Sequence, residues 1–389
     1  MLNNAVAIRL ATKEIWRNLG RFLLVSFVIA LITLLVLFLA GLGEGLANAN
    51  KEYLSKVDAD LILFQERADL SVAASQLGQS LMNDIQRVPG VAEAAPIGFS
   101  NVFVRFSADA EPLAVSLLGV EPGKPGEMIA YEGRGLGGSR ANEAVLDRNV
   151  ARQTGLQVGD SLTVESTQGT VDQLYDLEVV GISDGQQFFF APSVAVPLDT
   201  WNRIRSRPTD SPSSGELVFN IVAVQLENPD ERVTMADLLE ERVNTIEAVD
   251  VVTAYESAPG YSEQQSTIQT QRGFTLLIGV LVVGGFFQIQ TLQKVVQVGV
   301  LKALGASNRT VAVATTIQIV LTNFFGVLMG GLATYLLVLG FPEGIPITFE
   351  GSQVQVAIIT LLLIGPLGGL MSIRLLTRVE PLTALGLSS

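Results

Sequence analysis

The sequence predicts an α-helical membrane protein with four transmembrane helices, arranged one then three, plus a large mixed α+β extracytoplasmic domain of two lobes. Hydrophobic runs fill residues 22–43, 273–293, 311–340 and 354–376. Mean hydropathy is +0.42. The stretch between the first two runs, residues 44–272, holds most of the charge. A bilayer core needs about 20 apolar residues of helix, and all four runs are long enough. Core helices of a soluble protein do not reach this length and hydropathy. The first run has no charge between Arg21 and Glu44, and it is longer than the roughly 7 to 15 apolar residues of a cleaved signal sequence.

Residues 1–21 suit a cytoplasmic amphipathic helix. Arg9, Lys13 and Arg17 recur every fourth residue, while Ile8, Ile15 and Leu19 line a neighbouring face. Such a helix lies in the interface, with Trp16 where an interfacial aromatic belongs. It reads equally as a topology anchor and as a contact for a cytoplasmic partner. The first span, 22–43, follows.

The domain 44–272 alternates short strand and helix patterns. Strands are expected at Asp60–Gln65, Val102–Phe106, Ala114–Val120, Ser161–Glu165, Leu177–Ile182, Leu217–Leu226 and Val249–Tyr255, from alternation and β-branched content. Helical spacing appears in Ser75–Val88, which stops at Pro89-Gly90, and in Thr234–Ile246. Arg203–Gly215 is rich in Pro and Ser and reads as a surface loop. PGKPGE and GRGLGGSR, near 120–140, interrupt the pattern. They suggest one lobe built from the two ends of the domain and a β-rich lobe mostly within 141–200.

Three spans complete the chain. Span 273–293 leads into a cytoplasmic segment 294–310, span 311–340 into a short extracytoplasmic loop 341–353, and span 354–376 into a tail 377–389. Ser26, Gln288, Gln290, Gln318 and Asn323 are polar but uncharged inside these runs, which a neighbouring helix or the backbone can satisfy.

The placement of Lys and Arg orients the chain. Nine basic residues against two acids, Glu14 and Glu380, lie before the first run, between runs two and three, and after run four. The positive-inside rule makes those segments and both termini cytoplasmic. Residues 44–272 hold 16 Lys and Arg against 34 Asp and Glu. The acidity therefore belongs to the outer domain and argues against nucleic acid as a partner, because phosphate binding needs a basic surface.

Composition excludes several chemistries. The chain has no Cys and no His, so disulfides, thiolate sites, zinc–histidine hydrolysis and Ser-His-Asp catalysis are all ruled out. No metal site and no catalytic set is expected, and no carboxylate pair stands out from an acidic surface. There is no G-x-x-x-x-G-K-[ST] loop; the one Gly-Lys pair, Gly123-Lys124, runs into Pro125.

Several segments carry a resemblance. Val298-Gly299-Val300-Leu301-Lys302-Ala303-Leu304-Gly305-Ala306-Ser307 resembles the short cytoplasmic segment of ABC permeases of the MacB/FtsX type. Arg378-Val379-Glu380-Pro381-Leu382-Thr383-Ala384-Leu385 is similar to their terminal pattern. The stretch from Asn149 to Leu162 with Leu177–Ile182 resembles their periplasmic core domain. Gln293-Lys294, Leu301 to Ser307, and the start from Lys13 to Asn18 leading through Gly20-Arg21-Phe22 into Ala40-Gly41-Leu42 look closer to the haem-exporting HrtB branch.

The resemblance implies a dimer of permeases in the cell (inner) membrane, working with a separate cytosolic ABC ATPase that binds ATP. It implies mechanotransmission, in which closure at the inner face moves the outer domains and expels a hydrophobic or amphiphilic cargo, haem among the candidates. No intrinsic cofactor is implied. Gln297, Val298, Gly299, Val300, Leu301, Lys302, Ala303 and Leu304 would form the coupling helix, ended by Gly305 as a left-handed cap. Lys302 would suit the helix dipole. Many relatives carry Glu where this chain has Gln297, so a salt bridge from that position to the ATPase is absent. Other members imply other roles: an FtsX-like adaptor that activates a cell-wall hydrolase, or a lipoprotein-releasing or peptide-exporting permease.

Phe188-Phe189-Phe190 is the oddest local feature of the outer domain. Three consecutive aromatics cannot all face one side of a strand. They are candidates for contact with a partner, the membrane or an apolar cargo, or for burial between the two lobes.

Overall fold

The computed structural model describes residues 16–107, 110–188, 190–206, 217–341, 347–349 and 351–377. Most of the N-terminal amphipathic segment, most of the loop after Arg203 and the motif Arg378–Leu385 lie outside the described residues. The chain divides into two units, one formed by residues 1–45 with 266–389 and the other by residues 46–265.

The unit 46–265 is a ten-stranded sheet with helices on both faces. In chain order its elements are the end of helix α1 (Leu19–Lys56), then β1 (Leu61–Gln65), β2 (Leu77–Gly78), α2 (Ser80–Gln86), β3 (Val91–Arg105), β4 (Leu113–Val120), β5 (Ala130–Gly133), β6 (Glu143–Asp147), α3 (Arg148–Thr154), β7 (Ser161–Gln168), β8 (Val171–Ser183), β9 (Ser193–Pro197) and α4 (Leu198–Ile204). After these come β10 (Val218–Phe219), β11 (Ile221–Leu226), α5 (Arg232–Arg242), β12 (Ile246–Asp250), α6 (Val251–Glu256) and the start of α7 (Tyr261–Ala303). The strand path is β12-β1-β11-β3-β4-β9-β6-β8-β5, with β7 joining β3 and β8, while β2 and β10 pair apart from it.

The two expected lobes are halves of this one sheet. Strand β3 serves both: Val91–Ile97 pairs with β11, and Gly98–Val104 pairs with β4. The GRGLGGSR stretch is not a boundary. Arg134 grips Glu143 in a two-pronged ion pair at 2.9 and 2.7 Å, and the Gly137 N–H donates to the same carboxylate at 2.8 Å. Glycine-rich sequence here marks a tied loop within one domain.

Burial on both faces explains the strand composition. Leu61 and Leu63 enter one core with Trp201, Ile204 and Leu239, whereas Ile62 and Phe64 enter the opposite core with Tyr53, Leu54 and Ala254. Successive strand residues point to opposite faces, so a sheet covered on both sides reads as a continuous apolar run. The segment expected as strand at Val249–Tyr255 divides at Asp250. That carboxylate accepts from the Val252 and Thr253 N–H groups and so starts α6. Likewise Ser75–Val88 contributes only the helix Ser80–Gln86, because Leu77 pairs with Phe219 instead.

In the other unit, three helices among the described residues are long and apolar enough to cross a membrane: α1, α7 and α8 (Asn308–Leu339). The fourth, α9 (Gly351–Thr377), has a described apolar stretch of Val354–Gly369. Their packing depends on small residues. A Cβ on Gly326 would lie 2.6 Å from Ile29 and 2.9 Å from Ser26 O, and one on Gly330 would lie 2.5 Å from Ala30 O. Four residues apart on α8, these glycines let α1 approach to backbone contact, which gives van der Waals packing where lipid offers no hydrophobic drive.

Candidate functional site

The cytoplasmic segment expected at 294–310 is mostly helix. α7 runs unbroken from Tyr261 through Ala303, so the candidate coupling residues are its final turns rather than a separate helix. Val, Leu, Ala and Lys in this stretch carry no break signal before Gly305. There Gly305 takes φ +99°, its N–H donates to Lys302 O (3.0 Å), and the Ala306 N–H reaches back to Leu301 O (2.9 Å). This double closure ends the helix and satisfies its last carbonyls. Ser307 then caps α8, its hydroxyl accepting from the Thr310 N–H at 3.2 Å.

Across this hairpin α7 and α8 enclose a cavity of about 70 Å³ lined by Lys294, Gln297, Val298 and Leu301 on one side and Thr310, Val311, Thr315 and Gln318 on the other. Val298 and Val311 are buried in contact, and Lys294 Nζ donates to Gln318 Oε1 at 3.0 Å. Gly299 is buried, while Ala303 and Gly305 are exposed. Val300 and Leu304 project away from the cavity, and Leu304 is 81% exposed. Gln297, Val298 and Leu301 are thus brought together, whereas Val300 and Leu304 form an outward apolar edge. Sequence reasoning missed Gln318 as the partner of Lys294; its signal was a polar side chain inside an apolar run.

In the outer domain the aromatic triplet divides. Phe188 is only 2% exposed, with its ring edge-on to Tyr53 (5.6 Å) and Phe99 (5.2 Å). It is a core residue and presents no surface to a partner. Phe189 lies outside the described residues. Phe190 is 51% exposed and adopts φ +60°.

The segment 184–190 ties α1 to the sheet. The Tyr53 N–H donates to Gln187 O at 3.1 Å, and Ala49 O accepts from the Phe190 N–H at 3.1 Å. In a regular helix Ala49 O is the acceptor four residues behind Tyr53 N–H, so the loop inserts into the helical ladder at this point. Lys56 Nζ adds a bond to Asp184 O at 3.0 Å. Beside this splice sit the half-buried carboxyl of Glu52 and the buried one of Asp147, whose pKa values are both pushed up by loss of solvent. Sequence reasoning found neither. Among the described residues no group of three or more Asp or Glu is placed to hold a metal.

Long apolar helices with an α/β domain of periplasmic type inserted between the first and the second define a membrane permease. Residues 22–242 match the MacB-like periplasmic core domain, and residues 273–381 match the FtsX-like permease C-terminal region. The chain belongs to the MacB/FtsX-type ABC transporter permeases and is HrtB-like.

A Staphylococcus haemolyticus protein named as a hemin transport system permease, HrtB, is 23% identical over 97% of this chain and 99% of its own length. An uncharacterised ABC transporter permease of Mycobacterium bovis is 21% identical over 95% of this chain and 97% of its own. The periplasmic region of MacB from Actinobacillus actinomycetemcomitans is 13% identical, covering 51% of this chain and 92% of that one, with a TM-score of 0.37.

Proposed function

We propose that this chain is the permease subunit of an ABC exporter that draws on ATP hydrolysis in a separate cytosolic subunit to expel an amphiphilic cargo, with hemin the leading candidate. The observation that carries this reading is the end-to-end match to a permease named for hemin transport, together with the two family matches. In this reading α9 is the fourth span, both termini are cytoplasmic, the domain 44–272 is extracytoplasmic, and two copies form the working permease.

Helix continuity supports a mechanotransmission mechanism. α1 and α7 each run as one helix from the apolar stretch into residues of the outer domain. A stiff helix transmits rigid-body displacement that a loop would absorb. Residues 297–304 present the ATPase-facing end, with Leu304 and Val300 as apolar contacts and Gly305 as the fixed corner. The chain has no His or Cys, so hemin iron would meet at most Tyr, Met or carboxylate ligands. Expulsion therefore needs only weak, transient cargo contact.

The test is ATP turnover of the reconstituted permease–ATPase complex with and without hemin. Turnover that rises with hemin supports the exporter. Turnover indifferent to hemin, with stable capture of a cell-wall hydrolase by the outer domain, would replace it with a signalling adaptor.

A further inference from the structure

A second cavity, of about 40 Å³, lies among the spanning helices. Its polar lining is Asn18 and Arg21 at the start of α1, Gln290, Gln293 and Lys294 on α7, and Gln318 on α8, with no carboxylate among its lining residues. We propose that this cavity binds the anionic headgroup of a phospholipid.

The chemistry of the lining selects the ligand. Two cations converge with four amide side chains, a set that offers many N–H donors to an anion's oxygens. Lys294 already orients one of those amides through its bond to Gln318 Oε1. The position is equally specific. Arg21 immediately precedes the apolar run that begins at Phe22, and Lys294 immediately follows the run that ends at Gln293. The cavity therefore sits where apolar helix gives way to polar sequence, at headgroup depth. Basic pockets between transmembrane helices at this depth recognise acidic headgroups.

The surroundings provide for acyl chains too. Phe22 lines the cavity, and Leu19 and Leu23 beside it are 43% and 49% exposed. The volume suits a phosphate group and is far too small for a macrocycle, which separates this site from the exported cargo. A soluble phosphate would satisfy the cations but leave those leucines unused.

Native mass spectrometry of the full chain in mild detergent, titrated with phosphatidylglycerol or with phosphatidylcholine, tests the proposal. Wild type should retain phosphatidylglycerol preferentially. Arg21→Gln with Lys294→Gln should weaken that retention about thirtyfold, the order expected for losing two basic side chains at an anionic headgroup, with phosphatidylcholine unchanged. Lys294→Arg should keep it, which separates loss of charge from loss of fold. Arg374→Gln, a basic residue of α9 outside the cavity lining, should also keep it. Equal phosphatidylglycerol retention by wild type and the double variant would overturn the site. Displacement of the lipid by inorganic phosphate at comparable concentration would overturn the lipid as its ligand.

Discussion

Asn323 Nδ2 on α8 donates to Leu362 O on α9 at 2.8 Å, the carbonyl that Pro366 leaves without its helical donor. Proline has no N–H, so the acceptor four residues earlier is orphaned. In lipid such a carbonyl finds no water and must be satisfied by a neighbouring helix. A second bond, to Leu361 O at 3.1 Å, holds the same amide. Two features that each look unfavourable in an apolar helix, a buried Asn and an internal Pro, are thus one device joining α8 to α9.

This pairing predicts non-additivity. Asn323→Leu alone should destabilise the chain in detergent by about 1 to 3 kcal/mol, because it strands a buried acceptor. In the Pro366→Ala background, where a helical N–H is restored, the same change should cost measurably less. A thermal-unfolding double-mutant cycle with zero coupling would separate the two residues.

Gly305→Val should weaken coupling. Nothing lies within 4 Å of a Cβ built there, so crowding is not the obstacle. At φ +99° the backbone itself resists a β-branched residue, at about 1 to 3 kcal/mol. The α7–α8 corner should open, and ATPase stimulation by the permease should fall while membrane insertion is retained.

Asp147 predicts an inverted pH response. It is fully buried at the start of α3, and burial raises its pKa despite bonds from Asn149. A carboxyl raised in the folded state binds its proton more tightly there, so its favourable contribution is present at low pH. That contribution is lost as pH rises through the folded pKa. Glu52, also raised and in electrostatic contact with Asp147, acts in the same direction. Glu143, lowered by Arg134, acts oppositely but only in more acidic solution. Between about pH 4 and neutrality, Asp147→Asn should therefore flatten the decline in stability with rising pH, and Asn still caps the helix. Identical pH–Tm slopes for the two proteins would contradict this.

The aromatic triplet makes a contrast of its own. Phe188→Ala should cost about 3 to 5 kcal/mol as a core truncation. Phe190→Asn should lie within about 0.5 kcal/mol of wild type as a surface change, since Asn accepts the left-handed conformation. Chemical denaturation distinguishes them; comparable losses would place both rings in the core.

The parts of the structure legible in sequence were those governed by local periodicity. The apolar runs and most strands of the outer domain declared themselves, and so did the turn at Gly305, because one residue type answers one backbone demand. Where the helices end had no such marker: the apolar run stops at Gly43 while α1 continues to Lys56, since Glu44, Asn48 and Lys51 favour water without breaking a helix. Strand β9 and helix α4 were missed because SVAVP and LDTWNRI are too short for a period to register. The Tyr53–Gln187 splice, the Asp147 burial and the Asn323–Leu362 bond are long-range contacts with no local pattern. Phe188 and Phe190 were inseparable by composition and differ only through the path of the backbone between them.

Co-purification of the tagged chain with an ABC ATPase from the same cells tests the central claim most directly. A stoichiometric complex that survives membrane extraction, and is lost or loosened by changes at Val300, Leu304 and Gly305, is the result predicted here. A chain that purifies without an ATPase under conditions that keep it folded would contradict the transporter reading.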